Sequence, residues 1–110
     1  MNKTEFYPAG SLKIQIDQET QSRYWAVKSE KLMFTYFEVG PHKKFKNHSH
    51  ESEQVTYVLE GKLFFKVEEE IYCVGPGGLI SIPSWKVHSV WTEAEGARAV
   101  DAWSPVNSNL

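Results

Sequence analysis

HSHESEQVTYVLEGK, residues 48–62, sets two histidines two positions apart and follows them with a run of β-branched and aromatic residues that ends at Gly61. Side chains two apart on a strand point to one face. If the strand is unbroken, His48, His50, Gln54, Thr56 and Val58 share one surface. The same reading extends outward in both directions. Apolar residues alternate or run in short blocks, with Gly and Pro between them, and no sustained helical period is found. The expected strands are Leu12–Ile16, Tyr24–Lys28, Lys31–Val39, Lys46–His50, Gln54–Glu60, Lys62–Val67, Ile71–Val74, Gly78–Ile82, His88–Thr92 and Ala97–Trp103. Turn signals separate them at Gly40-Pro41, Glu60-Gly61, Glu68–Glu70, Gly75–Gly78 and Glu95-Gly96, with Glu60-Gly61 expected at a hairpin tip. Many short strands in a short chain predict an all-β sandwich or barrel.

The 110 residues make one domain, which excludes a two-domain enzyme. With 41% hydrophobic and 24% charged residues, the composition is that of a chain that folds. Twelve basic against fourteen acidic residues leave a net charge of -2, so neither nucleic acid nor an anionic membrane is an expected partner. Cys73 is the sole cysteine, which removes a disulfide scaffold and a zinc ribbon. No leader pattern is seen, and no apolar run nears the roughly 20 residues that span a bilayer, so a cytoplasmic location is expected. The acidic Glu68–Glu70 reads as a solvated turn, and Pro105–Leu110 as a loose tail.

His48 and His50 form a facial pair of imidazoles, the arrangement that metal coordination requires, and Gln54 offers a carbonyl oxygen beside them. A third imidazole comes from His88 in GGLISIPSWKVHSV, residues 77–90, because inward positions of distant strands converge inside a barrel. Gln54 has a second reading, in which its amide bonds a water or a ligand while the histidines alone hold the ion. His42, in a basic loop, reads as a surface residue.

The two strings together resemble the cupin family of small jelly-roll barrels. The first family motif runs Gly, five residues, His-x-His, three or four residues, Glu, six residues, Gly; here His42, His48, His50, Gln54 and Gly61 occupy those places. The second runs Gly, five residues, Pro-x-Gly, two residues, His, three residues, Asn; here Gly77, Pro83, Trp85, His88 and Thr92 stand there. The resemblance implies a double-stranded β-helix with a core at about 30–104. It also implies one divalent transition-metal ion (Zn, Ni, Fe, Mn, Co or Cu) on His48, His50, Gln54 and His88. Gln in place of Glu removes a negative charge, leaves the ion's charge uncompensated and favours an anionic or enolate oxygen in the open positions.

The segment 48–62, the block Ile82–His88 and the terminal DAWSP, residues 101–105, are similar to a narrower group, single-domain cupins with three His and one Gln. Some of these open and ketonise unsaturated uronates. That resemblance implies Asp101 as the group that moves a proton and Trp103 as a cavity wall. It also puts Asn107 where the group has an Arg. Asp101 reads equally as a strand-end carboxylate, and Trp103 as core or interface. Neither Arg98, three positions from Asp101 and so on the opposite face, nor Arg23 replaces the missing guanidinium. Val58, Phe64 or Phe65, Ile80 or Ile82, and Val90 are candidate walls, with Val58 and Val90 assigned to substrate.

Three functions follow. The first is a metalloenzyme acting on a small oxygen-rich molecule, such as a sugar acid, by Lewis-acid stabilisation of an enolate. The others are an iron-dependent dioxygenase and a non-catalytic cupin that binds a small molecule. A homodimer is expected through the N-terminal strands of residues 11–28, since strand edges need cover.

Overall fold

The computed structural model describes residues 3–107, so residues 108–110 of the expected tail lie outside it. Ten strands form among the described residues: β1 (Gln15–Ile16), β2 (Arg23–Lys28), β3 (Met33–Val39), β4 (Lys44–His48), β5 (Glu53–Gly61), β6 (Leu63–Val67), β7 (Glu70–Val74), β8 (Leu79–Ile82), β9 (His88–Trp91) and β10 (Ala97–Ser104). They make two antiparallel sheets, a six-stranded one ordered β1-β2-β3-β10-β5-β8 and a four-stranded one ordered β4-β9-β6-β7. This is the expected jelly roll.

Alternation along the strands sends one set of side chains between the sheets. On β3, Met33, Thr35, Phe37 and Val39 are buried, and on β10 Ala97, Ala99, Asp101 and Trp103 are. The core combines Val58, Ile82, Ala97 and Ala99 from one sheet with Leu63, Phe65, Val74 and Val90 from the other. Full burial of each large apolar side chain contributes roughly 1.5–3 kcal/mol.

Three expectations change. β4 ends at His48 and β5 starts at Glu53 in the other sheet, so residues 49–52 cross the gap between layers and the two-residue rule does not run from His48 to Gln54. Gly61 is a corner rather than a hairpin tip, because β5 and β6 lie in different sheets. Its φ is +72°, and a Cβ there would lie 1.9 Å from the Gly96 carbonyl oxygen, so only glycine lets the two backbones pass. The expected Leu12–Ile16 strand contracts to β1, two residues on the sheet edge.

The departures from the cupin motifs acquire a physical meaning. His42 and Trp85 hold φ at +55° and +64°, so both motif-glycine places keep the left-handed backbone without glycine. Thr92 donates to the Gly40 carbonyl at 2.6 Å and accepts from the Lys43 amide at 3.1 Å, tying β9 to the turn that contains His42.

Candidate metal centre

Four elements bring the site together. His48 closes β4 and pairs in register with His88, the first residue of β9; His50 sits in the crossing loop, and Gln54 lies on β5. Ligand atoms of the three imidazoles lie within 4.8 Å of one another, with His50 and His88 buried and His48 exposed. Each ring is fixed in the same way. Nδ1 bonds a backbone carbonyl two residues away: His48 to Lys46 at 2.8 Å, His50 to Ser52 at 2.9 Å and His88 to Lys86 at 2.8 Å. A carbonyl only accepts, so Nδ1 carries the proton and each neutral ring presents its Nε2 lone pair to the shared centre. Burial pushes the His88 imidazole down to about 4, against the Lys86 carbonyl, which raises it, and it also lowers His50. Buried neutral imidazole is the ligand form.

Gln54 lines the same cavity as His48 and His50. Its Nε2 donates to Thr56 Oγ1 at 3.0 Å and toward Asp101 Oδ1 at 3.5 Å, which turns Oε1 the other way. His50 Nε2, His88 Nε2 and Gln54 Oε1 are the buried side-chain atoms without a hydrogen-bond partner among the described residues. A buried polar atom left so costs about 1–3 kcal/mol, and two of the three clustered imidazoles carry such unpartnered lone pairs. A divalent ion fits the three-histidine cluster.

Asp101 is buried beside them. Thr35 Oγ1 donates to Oδ2 at 3.0 Å, Thr56 Oγ1 donates to Oδ1, and Trp103 Nε1 donates to Thr35 Oγ1 at 2.9 Å. Burial pushes the Asp101 carboxyl up to about 6 despite these donors, which favour the ionised form. Trp103 also packs on the His50 ring at 5.3 Å between centroids.

His48, His50, Gln54, Thr56, Asp101 and Trp103 line one cavity of about 760 Å³, which also takes in Val90, Phe65 and Asn107. Val58 does not line it: it is wholly buried in the core. Phe64 turns outward to stack on Trp91, which settles Phe65 as the inward ring of that pair. Ile82 is core, with Ile80 packed against it. Arg23 pairs with Glu38 and Arg98 with Glu60 on the outer face, so neither enters the cavity, and His42 is exposed away from the cluster.

Sequence reasoning missed Thr35, which holds Asp101, and the rim loop Asp17–Glu19. The loop is built by Asp17 Oδ2, which accepts from the Thr20 amide and hydroxyl, both at 2.9 Å, and is pinned by Glu19 Oε2, which accepts from the Lys46 amide at 2.7 Å. Asp-x-x-Thr is a legible turn signal; its position over the cavity is not.

The two-sheet barrel and its inward three-histidine cluster define a jelly-roll protein with a candidate metal centre. The chain belongs to the cupin-domain family Cupin_2, which matches residues 35–103. Among solved structures it is similar to KdgF from Halomonas sp., at 20% identity over 97% of this chain and 98% of that one with a TM-score of 0.85. An RmlC-like cupin from Shewanella frigidimarina gives 22% identity, 99% and 98% coverage and 0.85. The polyketide cyclase RemF from Streptomyces resistomycificus gives 25%, 94% and 80%, and 0.74. No curated protein sequence matches the chain.

Proposed function

We propose that this cupin is a metal-dependent enzyme that moves a proton between carbons of a small, oxygen-rich carbonyl compound, with unsaturated uronates as the substrate class. The observation that carries this reading is Asp101, buried in the cavity that His50 and Gln54 line with their unpartnered donor atoms, and pushed up to about 6. His48, His50, Gln54 and His88 hold the ion, which when bound supplies Lewis-acid stabilisation of negative charge on a substrate oxygen. Asp101 takes and returns the proton at a carboxylate oxygen, because a carboxyl near neutrality is matched to both steps. Thr35 and Thr56 hold that carboxylate in place from two strands. Trp103 closes the wall beside His50 and keeps water from the reacting carbon. Asn107 stands where the uronate-ketonising cupins that the sequence resembles have Arg, and Lys46 on the rim is the cation left to meet a sugar carboxylate.

The test is turnover of an unsaturated uronate by the metal-loaded chain, followed by loss of alkene absorbance. Asp101→Asn is expected to lower kcat by about 10²–10⁴, the usual share of a general acid–base group, with metal content unchanged by mass spectrometry. Equal turnover by Asp101→Asn removes the proton-transfer role. Oxygen uptake without uronate turnover would instead establish the dioxygenase, and stoichiometric binding without turnover the non-catalytic cupin.

A further inference from the structure

Each imidazole of the cluster leans on the carbonyl of a residue two positions away, and that residue is held in turn by a segment from elsewhere in the chain. Lys46, which holds His48, accepts Glu19 of the rim loop at its amide, 2.7 Å away. Lys86, which holds His88, pairs with Glu68 at 3.3 Å. Ser52, which holds His50, donates its hydroxyl to the Pro105 carbonyl just beyond β10, at 2.5 Å. The first two supports stand in solvent, where water competes for the same groups and the contact contributes little. Ser52 is 2% exposed, so water does not reach its side chain to replace a lost partner.

His50 depends on its support more than the other two imidazoles do. His48 ends β4, His88 opens β9, and the two face each other across the ladder that joins those strands. His50 lies in residues 49–52, which cross between the layers outside either sheet. It is fixed there by the Trp85 amide on its carbonyl at 2.8 Å, by Trp103 against its ring and by the Ser52 carbonyl at its Nδ1. A ring bonded to a carbonyl outside the sheets points where that carbonyl lets it, and the peptide of Ser52 is set by where its own side chain is tied. The tie leads to the C-terminal segment. Pro105 follows directly on β10, and two residues further Asn107 lines the cavity. One buried hydroxyl thus joins the loop that aims His50 to a wall of the cavity.

We propose that Ser52 is a positioning residue, whose hydroxyl ties the segment Pro105–Asn107 to the loop that aims His50, so that the metal centre and this segment order one another. The inference rests on the reading of His48, His50 and His88 as ligands of one ion. Without the hydroxyl, residues 49–52 are free to shift, the Ser52 carbonyl moves with them, and His50 Nε2 spends less time at the common centre. Residues that orient a ligand imidazole change metal affinity by about 10–100-fold when lost, and a support acting through one intervening peptide belongs at the lower end of that range. The coupling runs both ways. If the segment steadies His50 for an ion, an ion that holds His50 steadies the segment by the same factor.

The experiment is titration calorimetry with zinc on the full chain, beside the visible spectrum of the cobalt(II)-loaded chain, whose bands report ligand geometry. Ser52→Ala is expected to raise the zinc dissociation constant about tenfold and to shift the cobalt bands, with unchanged circular dichroism. Ser52→Thr, which keeps the donor, is expected to bring both back. Ser104→Ala removes a hydroxyl that bonds the Lys31 carbonyl at 2.7 Å and reaches no histidine, and is expected to bind zinc as the wild type does. Should Ser52→Ala fail to fold, amide exchange on the wild type decides: zinc is expected to slow exchange at Val106 and Asn107 severalfold. Wild-type affinity in Ser52→Ala, an equal loss in Ser104→Ala, or exchange at Val106 and Asn107 indifferent to zinc overturns the proposal. A wild type that takes up neither metal removes the metal centre and this inference with it. Zinc binding with the Ser52 effect intact but no uronate turnover removes the proposed reaction alone and supports the role of Ser52.

Discussion

At the scale of the residue, Gln54 does two things that a carboxylate in its place cannot do together. Its amide nitrogen faces Thr56 and Asp101, and its oxygen is left without a hydrogen-bond partner. Gln54→Glu, the side chain at this place in the commoner cupin motif, adds a negative charge to the ion's surroundings and removes the donor to Asp101. Titration calorimetry with zinc is expected to show binding tighter by about tenfold, the size of effect that ligand and supporting-residue changes have at such sites. With a second carboxylate nearby, the Asp101 carboxyl rises further and the pH optimum of turnover moves up. Unchanged zinc affinity would remove Gln54 from the donor set. The position of Gln54 was legible from its spacing after His50; its clamp on Asp101 was not. That contact needs β5 beside β10, and Asp101 is held in turn by Thr35 from β3, a pairing that spans 66 positions and leaves no local pattern.

At the scale of the element, two backbone corners share a left-handed φ and should answer oppositely to substitution. His42, at φ +55°, is an exposed turn residue whose amide donates to the Glu93 carbonyl at 2.9 Å. Left-handed backbone costs a residue with a Cβ roughly 1–2 kcal/mol, so His42→Gly keeps the bond and relieves the strain. Part of that gain is offset by the freer unfolded chain, leaving about 0.5–1 kcal/mol, which thermal unfolding reads as a rise of a few degrees. At Gly61, φ +72°, a Cβ would overlap the Gly96 oxygen, and Gly61→Ala is expected to cost about 3 kcal/mol or more. Effects equal in size and opposite in sign would mean that φ alone, and not the space around it, governs these corners. The strands themselves were largely legible because alternation survives in a half-buried sheet. The crossing between sheets at residues 49–52 was not. Periodicity inside a strand does not encode which layer the next strand joins, and His48 and Gln54 reach one centre from opposite layers.

At the scale of the whole molecule, the metal-free chain carries opposing titrations in its interior. His88 falls from 6.5 when unfolded to about 4 when folded, so between those values the unfolded state binds more protons and stability is lost as pH falls. His50 is lowered by burial and acts in the same sense. Asp101 runs the other way. Its carboxyl rises from 3.8 to about 6, the folded state holds the extra proton across that window, and stability is lost as pH rises. In the wild type the windows overlap and largely cancel, so urea unfolding in the presence of a chelator should change shallowly between pH 4.5 and 7.5. Asp101→Asn takes away the term that weakens the fold at neutral pH and leaves the histidines unopposed. The variant should therefore be more stable than the wild type at pH 7.5, by at most about 3 kcal/mol at 1.36 kcal/mol per pH unit. The gap should close toward pH 4.5, giving a steeper acid limb. Parallel limbs in the two proteins would show that the Asp101 proton is not coupled to folding. An ion that needs neutral imidazoles binds the folded state alone, so restoring it should steepen both limbs together and leave the difference between them as the signature of Asp101.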